Sequence, residues 1–217
     1  MKSAAAWVAL FVASLPLFLA ASLGAQAEPR APVIVALGDS LTAGLGLPQS
    51  EAFPAQLQAA LKARGHDMTV IDAGVSGDTA AAAAQRLDWA LPDNADAVIV
   101  ELGGNDALQG IPPEGTKAAL EKIIVSVQAR GLPILLAGQE APRNMGKDYV
   151  EAFSAIFRDL AQRYDVIFYP FFLEGVALND ALMQPDGLHP NAKGVARIVE
   201  NILPKVEELL AKVEAKG

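Results

Sequence analysis

The run Pro32-Val33-Ile34-Val35-Ala36-Leu37 passes directly into Gly38-Asp39-Ser40-Leu41. A short, unbroken apolar run that ends at a glycine is typical of a strand buried on both faces of a parallel β-sheet. Residues that follow such a strand lie at its carboxyl end, where the ligands and catalytic groups of open α/β sheets gather. Ser40 is therefore the first candidate functional residue.

Four more apolar runs of this kind follow along the chain, at residues 68–73, 97–102, 133–137 and 166–169. The segments between them carry apolar residues at spacings of three and four, which is the periodicity of an amphipathic helix. This alternation is the pattern of βαβ units and a sheet covered on both faces. It predicts an α/β protein, namely a three-layer α/β/α domain with a five-stranded parallel sheet, as in flavodoxin-like folds.

The predicted helices have recognisable ends. Two of them stop at Gly65 and Gly131, and glycine is the residue that most readily supplies a left-handed C-cap. The last helix begins near Asn191, and an Ala-rich helix begins with either Asp78 or Thr79 as its N-cap.

The N-terminus has the features of a secretory signal peptide. Residues 1–27 contain Lys2, an apolar stretch from residue 4 to residue 23, and the cleavage sequence Ala25-Gln26-Ala27. The alternative is a permanent membrane anchor, because the apolar stretch is close to the roughly 20 residues that span a bilayer. The small residues before position 28 favour cleavage. We therefore expect an exported protein, periplasmic or secreted, with no stable membrane insertion.

The mature chain is acidic and of single-domain length. Cleavage removes 27 of the 217 residues and leaves 190 for one domain, residues 28–217; it also removes Lys2 and moves the net charge from −8 to −9. An acidic surface without a basic stripe argues against nucleic acid as a partner. The chain has no cysteine, so disulfide and thiol chemistry are excluded.

Histidine is scarce, and this narrows the choice of a catalytic base. The chain contains two histidines. His66 lies between a helix end and the next predicted strand, at the wrong edge of the sheet for catalysis. His189 lies in Asp186-Gly187-Leu188-His189-Pro190, so an aspartate that could orient its imidazole is three residues away. A serine, a histidine and an aspartate together indicate ester hydrolysis.

The α/β-hydrolase fold does not fit these residues. That fold places its serine in Gly-x-Ser-x-Gly, whereas Thr42 stands at the last position of Gly38-Asp39-Ser40-Leu41-Thr42. It also keeps Asp and His well apart in sequence.

Four short blocks together resemble the SGNH, or GDSL-type, hydrolase family. They are Gly38-Asp39-Ser40-Leu41, Gly74-Val75-Ser76-Gly77-Asp78-Thr79, Gly103-Gly104-Asn105-Asp106 and Asp186-Gly187-Leu188-His189-Pro190. The resemblance spans the mature chain and is nearest to the bacterial thioesterase, lysophospholipase and arylesterase branch. It implies an SGNH-hydrolase fold in which Ser40 is the nucleophile, His189 the base and Asp186 its orienting acid. It also implies an oxyanion hole formed by the backbone N–H groups of Ser40 and Gly77 and the side-chain amide of Asn105.

The loops after the third and fourth strands are the expected source of acyl specificity. We expect Leu108, Ile111, Ala141, Pro142 and Met145 to contact the substrate, although apolar side chains there could equally pack inward. No pair of histidines and no cluster of carboxylates has the spacing of a metal site, so we expect neither a metal nor a cofactor. Glu101 ends an apolar run beside the third block and has no evident role.

These observations predict a serine ester hydrolase that forms an acyl-enzyme on Ser40. Its substrate would be a small-molecule acyl ester or thioester, and the protein would act as a monomer. One alternative is a carbohydrate O-acetylesterase of the cell envelope, which would have a polar groove with more aromatic residues. Another is a non-catalytic binding protein, which would be expected to have lost Ser40, Asn105 or His189.

Overall fold

The computed structural model describes residues 30–215, and from residue 31 onward the chain forms one compact unit. Its centre is a five-stranded sheet in the order β2-β1-β3-β4-β5, in which every neighbouring pair is parallel. The strands are β1 (Val33–Gly38), β2 (Thr69–Gly74), β3 (Ala97–Glu101), β4 (Ile134–Ala137) and β5 (Ile167–Tyr169). The predicted parallel sheet is confirmed, with every strand end within one residue of its expected position.

Within residues 30–215, eight α-helices surround or extend this sheet. They are α1 (Ser40–Ala43), α2 (Phe53–Ala63), α3 (Ala80–Gln85), α4 (Leu87–Ala90), α5 (Gly104–Leu108), α6 (Pro113–Ala129), α7 (Lys147–Tyr164) and α8 (Ala192–Glu214). Two short 3₁₀ helices lie at Gln49–Glu51 and Arg143–Met145. Among the helices of residues 30–215, none is both long enough and apolar enough to cross a membrane. The predicted signal peptide, residues 1–27, lies outside the described residues.

Strand alternation divides the core into two halves. Ile34 and Ala36 of β1 pack with α2 and α8, whereas Val35 and Leu37 of β1 pack with α3, α6 and α7. Successive side chains of a strand point to opposite faces, so a strand that is buried on both faces must be apolar throughout. This confirms the predicted three layers.

Local sequence accounts for the helix ends. Gly65 and Gly131 follow α2 and α6 with φ of 88° and 72°, in the left-handed region that glycine adopts without strain. The Asn191 side chain caps α8 by accepting hydrogen bonds from the N–H groups of Lys193 and Gly194. At α3 the cap is Thr79, whose hydroxyl accepts from the N–H of Ala82.

The sheet register brings the predicted motifs to one edge. Gly38 at the end of β1 lies opposite Gly74 of β2 and Glu101 of β3. The chain beyond these three residues therefore starts from the same carboxyl edge, and it carries the first three sequence blocks. The fourth block lies after β5 in a loop closed by an antiparallel bridge between Met183 and Pro190.

Candidate active site

Ser40 begins α1 directly after the turn that ends β1. The Asp39 carboxylate caps this helix by accepting a hydrogen bond from the N–H of Leu41 at 3.0 Å. Gly38 leaves room for the turn, because a Cβ at this position would lie 2.0 Å from Thr42 Oγ1. The strand, the glycine and the cap together place the Ser40 hydroxyl at the wall of a surface cavity.

His189 and Asp186 complete a hydrogen-bonded chain that starts at Ser40. His189 Nε2 lies 2.9 Å from Ser40 Oγ, and His189 Nδ1 lies 2.7 Å from Asp186 Oδ2. Ser40 and His189 are 149 residues apart in sequence. A nucleophile, a base within hydrogen-bonding reach and a third group that orients the base form the arrangement that activates a serine hydroxyl.

Asp186 also organises the backbone around His189. Its Oδ1 accepts hydrogen bonds from the N–H groups of Leu188 and His189, at 2.9 and 3.0 Å. These bonds from the His189 backbone and imidazole, together with that from Leu188, lower the pKa of Asp186 to about 2. The carboxylate therefore stays ionised and can stabilise an imidazolium.

Gln184 links the loop that carries His189 to the segment that follows Ser40 and α1. Its Nε2 donates to the carbonyl of Leu45 at 2.7 Å and to that of Pro190 at 3.0 Å, and its backbone N–H donates to the carbonyl of His189. The segment after α1 and the His189 loop are therefore joined directly.

The two other predicted oxyanion donors line the same cavity as Ser40. Gly77 has φ of 89°, and a Cβ there would meet no atom within 4 Å, so the backbone conformation rather than crowding favours glycine. Asn105 lies in the first turn of α5. Its Nδ2 donates to Asp39 Oδ2 at 3.1 Å and to the Asp78 carbonyl at 2.9 Å, which fixes the direction of the amide.

Asp39 is almost completely buried, with 1% of its surface exposed. Burial raises its pKa from 3.8 to about 6, against the lowering effects of the Leu41 amide, His189 and Asn105. A carboxyl group that holds Asn105 thus changes its protonation state near neutral pH.

Arg86 is a supporting residue that the sequence did not reveal. Its Nη2 donates to the carbonyls of Gly38 and Ala73, and its Nε pairs with Asp78 at 2.6 Å. One guanidinium therefore joins the ends of β1 and β2 to the segment that holds Asn105. Asp78, which we considered as a helix cap, pairs with Arg86 instead. An arginine at the end of an Ala-rich helix offered no signal of this role.

Asp106, the residue after Asn105, also helps to hold the segment that carries Asn105 in place. It is buried and accepts hydrogen bonds from the Ala80 N–H at the start of α3 and from the Thr116 hydroxyl in α6. The helix that carries Asn105 is therefore anchored to two neighbouring helices.

The cavity around Ser40 has a volume of about 870 Å³. Of the predicted substrate contacts, Leu108, Ala141 and Pro142 line it, together with apolar residues that the sequence did not identify: Leu45, Phe171, Leu173, Ala177, Leu178, Met183 and Leu188. Apart from Leu45, these additional residues all come from the segment between β5 and α8. This wall is predominantly apolar and suits an acyl or aryl group.

Ile111 and Met145, also expected at the substrate, do not line this cavity. The Ile111 carbonyl accepts a hydrogen bond from the Tyr149 hydroxyl. The Met145 terminal methyl lies beside Gly110, 3.2 Å from where a Cβ of that glycine would stand. The contacts made by both residues are thus with neighbours that do not line the cavity.

His66 lies away from this cavity, with its Nε2 3.9 Å from Glu207 Oε1. Between residues 30 and 215, no three His, Asp or Glu side chains are grouped as metal ligands.

Comparison with known proteins points to one family. Residues 36–197 match the GDSL-like Lipase/Acylhydrolase family. The chain is 39% identical over 184 residues to Esterase TesA of Pseudomonas aeruginosa, covering 84% of this chain and 92% of that protein. It is 38% identical over 181 residues to Thioesterase 1/protease 1/lysophospholipase L1 of Escherichia coli, covering 83% and 86%. The crystal structure of AlinE4, an SGNH-hydrolase family esterase, is 43% identical with a TM-score of 0.71, covering 85% of this chain and 99% of that one.

Proposed function

The chain belongs to the GDSL-like lipase/acylhydrolase family and is a serine ester hydrolase, and we propose that Ser40, His189 and Asp186 carry out its reaction. The observation that carries this proposal is the chain of hydrogen bonds from Ser40 Oγ through His189 to Asp186, open to an apolar cavity. The expectation of a hydrolase is confirmed, and the non-catalytic alternative is set aside.

In the first half of the reaction, Ser40 Oγ attacks the acyl carbon while His189 Nε2 accepts its proton. Asp186 stabilises the imidazolium through the Nδ1 hydrogen bond. The tetrahedral intermediate collapses when His189 returns the proton to the leaving alkoxide, phenoxide or thiolate, which leaves an acyl-Ser40 ester. In the second half, water takes the place of the Ser40 hydroxyl, and the carboxylic acid is released.

Stabilisation of the tetrahedral oxyanion is assigned to the backbone N–H groups of Ser40 and Gly77 and to the Asn105 amide. Both N–H bonds of Asn105 point to protein acceptors, Asp39 Oδ2 and the Asp78 carbonyl. In the reaction, the oxyanion would accept from one of these N–H groups together with the acceptor already bound to it. Fixed donors of this kind need little reorganisation as charge develops.

The proposed substrates are small acyl esters and thioesters. The cavity wall is mostly apolar, and among the described residues that line it Phe171 is the one Phe, Tyr or Trp. A carbohydrate O-acetylesterase would be expected to have more aromatic stacking surface, so we favour simple acyl chains over acetylated glycans. The relatives named esterase, thioesterase and lysophospholipase support the same substrate class.

The test compares the purified mature protein with Ser40→Ala on p-nitrophenyl acetate, butyrate and decanoate, on palmitoyl-CoA and on acetylated glycans. We expect hydrolysis of the acyl esters and thioester and its loss in the variant. Ester turnover that survives Ser40→Ala would overturn the assignment of the nucleophile.

Export to the periplasm and a monomeric state are also part of the proposal. Residues 1–27 support export, and sequencing of the mature N-terminus should begin at Glu28. The side chains of the proposed site all come from one chain, so a second copy is not needed to complete it; size-exclusion chromatography with light scattering should give the monomer mass.

A further inference from the structure

Glu101 is a fully buried carboxyl group, with 0% of its surface exposed, beneath the turn that carries Ser40. It is the last residue of β3 and lies opposite Gly38 in the sheet register. An ionisable side chain in this position is costly to bury unless its polar atoms are paired. The sequence assigned it no role, and the reaction described above does not use it.

The Glu101 carboxyl joins two parts of the site. On one side, Oε2 accepts a hydrogen bond from the Thr42 hydroxyl at 2.7 Å. Thr42 lies two residues after Ser40 in sequence. On the other side, Oε1 accepts from Gln139 Nε2 at 2.6 Å.

Gln139 begins the loop that contributes Ala141 and Pro142 to the cavity wall. Both partners are themselves buried: Thr42 is 0% exposed, and Gln139, which also lines the cavity, is 4% exposed. Bulk water therefore has little access to replace either hydrogen bond to Glu101. The position of the Ser40 turn and that of the acyl-binding loop are thus set from one carboxyl group.

We propose that Glu101 is a positioning residue, which holds the Ser40 turn in register with the loop that begins at Gln139. This inference rests on the proposed function. A displacement of about 1 Å between a nucleophile and its substrate can cost about 10²-fold in rate, so a buried link between them matters to catalysis and not only to folding.

The carboxyl can make these contacts without carrying a charge. Burial and the nearby Asp39 raise the pKa of Glu101 well above its usual range. In its neutral form one oxygen can donate its proton to Thr42 Oγ1 while the other accepts from Gln139. Glutamine has the same shape and the same combination of one donor and one acceptor group, with an amide N–H in place of the carboxyl O–H.

The experiment therefore compares Glu101→Gln with Glu101→Leu. For p-nitrophenyl acetate, Glu101→Gln should keep at least one third of the wild-type kcat, and Glu101→Leu should lose 10- to 100-fold. Rates are taken per folded molecule, well below the melting temperature. As a control for lost stability, Leu210→Ala changes a buried residue in the last two turns of α8 and should lower Tm without lowering kcat.

Two further variants remove the hydrogen bonds of Thr42 and of Gln139 to Glu101 one at a time. They test the proposal even if Glu101→Leu does not fold. Thr42→Val removes the hydroxyl beside Ser40 and should lower kcat about tenfold for p-nitrophenyl acetate and decanoate alike, with little change in KM. Gln139→Ala loosens the loop and should raise KM for the decanoate about three- to tenfold, with a smaller effect on the acetate.

The outcomes distinguish this inference from the proposed function. If the wild type hydrolyses esters and Ser40→Ala does not, but Glu101→Leu has the wild-type kcat, only the positioning role is wrong. The same conclusion follows if Glu101→Gln is as impaired as Glu101→Leu, or if Thr42→Val and Gln139→Ala affect kcat and KM identically. If the wild type hydrolyses no ester, the proposed function fails and this inference fails with it.

Discussion

At neutral pH, the substitution Asp39→Asn should lower the activity while leaving the protein at least about as stable as the wild type. Asparagine has the shape of aspartate and can still accept the Leu41 hydrogen bond through Oδ1. However, it turns an N–H₂ group toward Asn105 Nδ2, where Asp39 Oδ2 now accepts at 3.1 Å. Two donors then face each other, and Asn105 loses one of the two acceptors that direct its amide.

The stability effect follows from the raised pKa of Asp39, which is about 6 in the folded protein against an ordinary value of 3.8. Between these two values the folded state holds a proton that the unfolded state has released. The wild type therefore loses stability as the pH rises through this range. At roughly 1.4 kcal/mol per pH unit, the loss approaches about 3 kcal/mol by pH 7.5, and about 2–3 kcal/mol of it falls between pH 4 and 7.5.

Asp39→Asn lacks this titration, but it pays a nearly pH-independent penalty for its unmatched donors, on the order of 1–3 kcal/mol. It should therefore be less stable than the wild type at pH 4 and similar or more stable at pH 7.5. Urea unfolding at both pH values measures the difference. A difference in unfolding free energy that stays constant within about 0.5 kcal/mol would refute the reasoning, since other groups titrate in both proteins.

At pH 7.5, where its stability compares best with that of the wild type, the same variant should be less active than the wild type. Weak orientation of one oxyanion donor should lower kcat for p-nitrophenyl acetate at least about tenfold, and complete loss of a donor typically costs 10²- to 10³-fold. A variant that keeps wild-type kcat at pH 7.5 would show that Asp39 does not act through Asn105.

Three other substitutions test separate parts of the site. Asp186→Asn should lower kcat by about 10²- to 10⁴-fold, because its amide would donate to His189 Nδ1 and leave the proton on Nε2, facing Ser40; Tm should change little, since Oδ1 can still accept the two backbone bonds, and kcat above one tenth of wild type would contradict the assignment. Asn105→Ala should lower kcat for p-nitrophenyl acetate by about 10²- to 10³-fold with little change in KM, and an effect confined to KM would count against its role. Leu108→Asp should raise KM about tenfold for p-nitrophenyl decanoate but less than threefold for the acetate, and equal effects on the two esters would remove Leu108 from the acyl site.

The fold could be predicted closely because its strands have a strong sequence signal. A strand covered on both faces requires an unbroken apolar run, and β1, β3 and β4 are buried at every residue. Their limits are marked as well, by Pro32 and Pro133 directly before β1 and β4 and by Gly38 as the last residue of β1. Helix ends could be predicted equally well where a single residue caps the helix, as Asn191 does at the start of α8.

The residues of the proposed triad could also be identified from the sequence, whereas those of the cavity wall could not. Ser40, Asp186 and His189 belong to rare residue combinations, and the structure brings them within hydrogen-bonding distance, while their roles remain predictions. The wall is built from common apolar residues. Leu178 illustrates the difficulty: it is 90% exposed with φ of 63°, in a turn-rich segment without helical or strand periodicity. Nothing local in its sequence indicates that it lines the cavity around Ser40.

Buried carboxyl groups were the least visible feature, since burial depends on chain segments distant in sequence. Asp39, Glu101 and Asp106 are each at most 1% exposed, and all three lie at or just beyond the carboxyl ends of β1 and β3. Each is bonded to a donor from a different part of the chain: Asn105, Gln139 and Thr116. Because a buried acid is tolerated only while its donors stay in place, these pairs couple the site's geometry to its electrostatics. Neutral replacements at this edge should therefore relieve a desolvation cost while loosening the groups around Ser40, a conflict between stability and activity that apolar core positions such as Leu210 do not face.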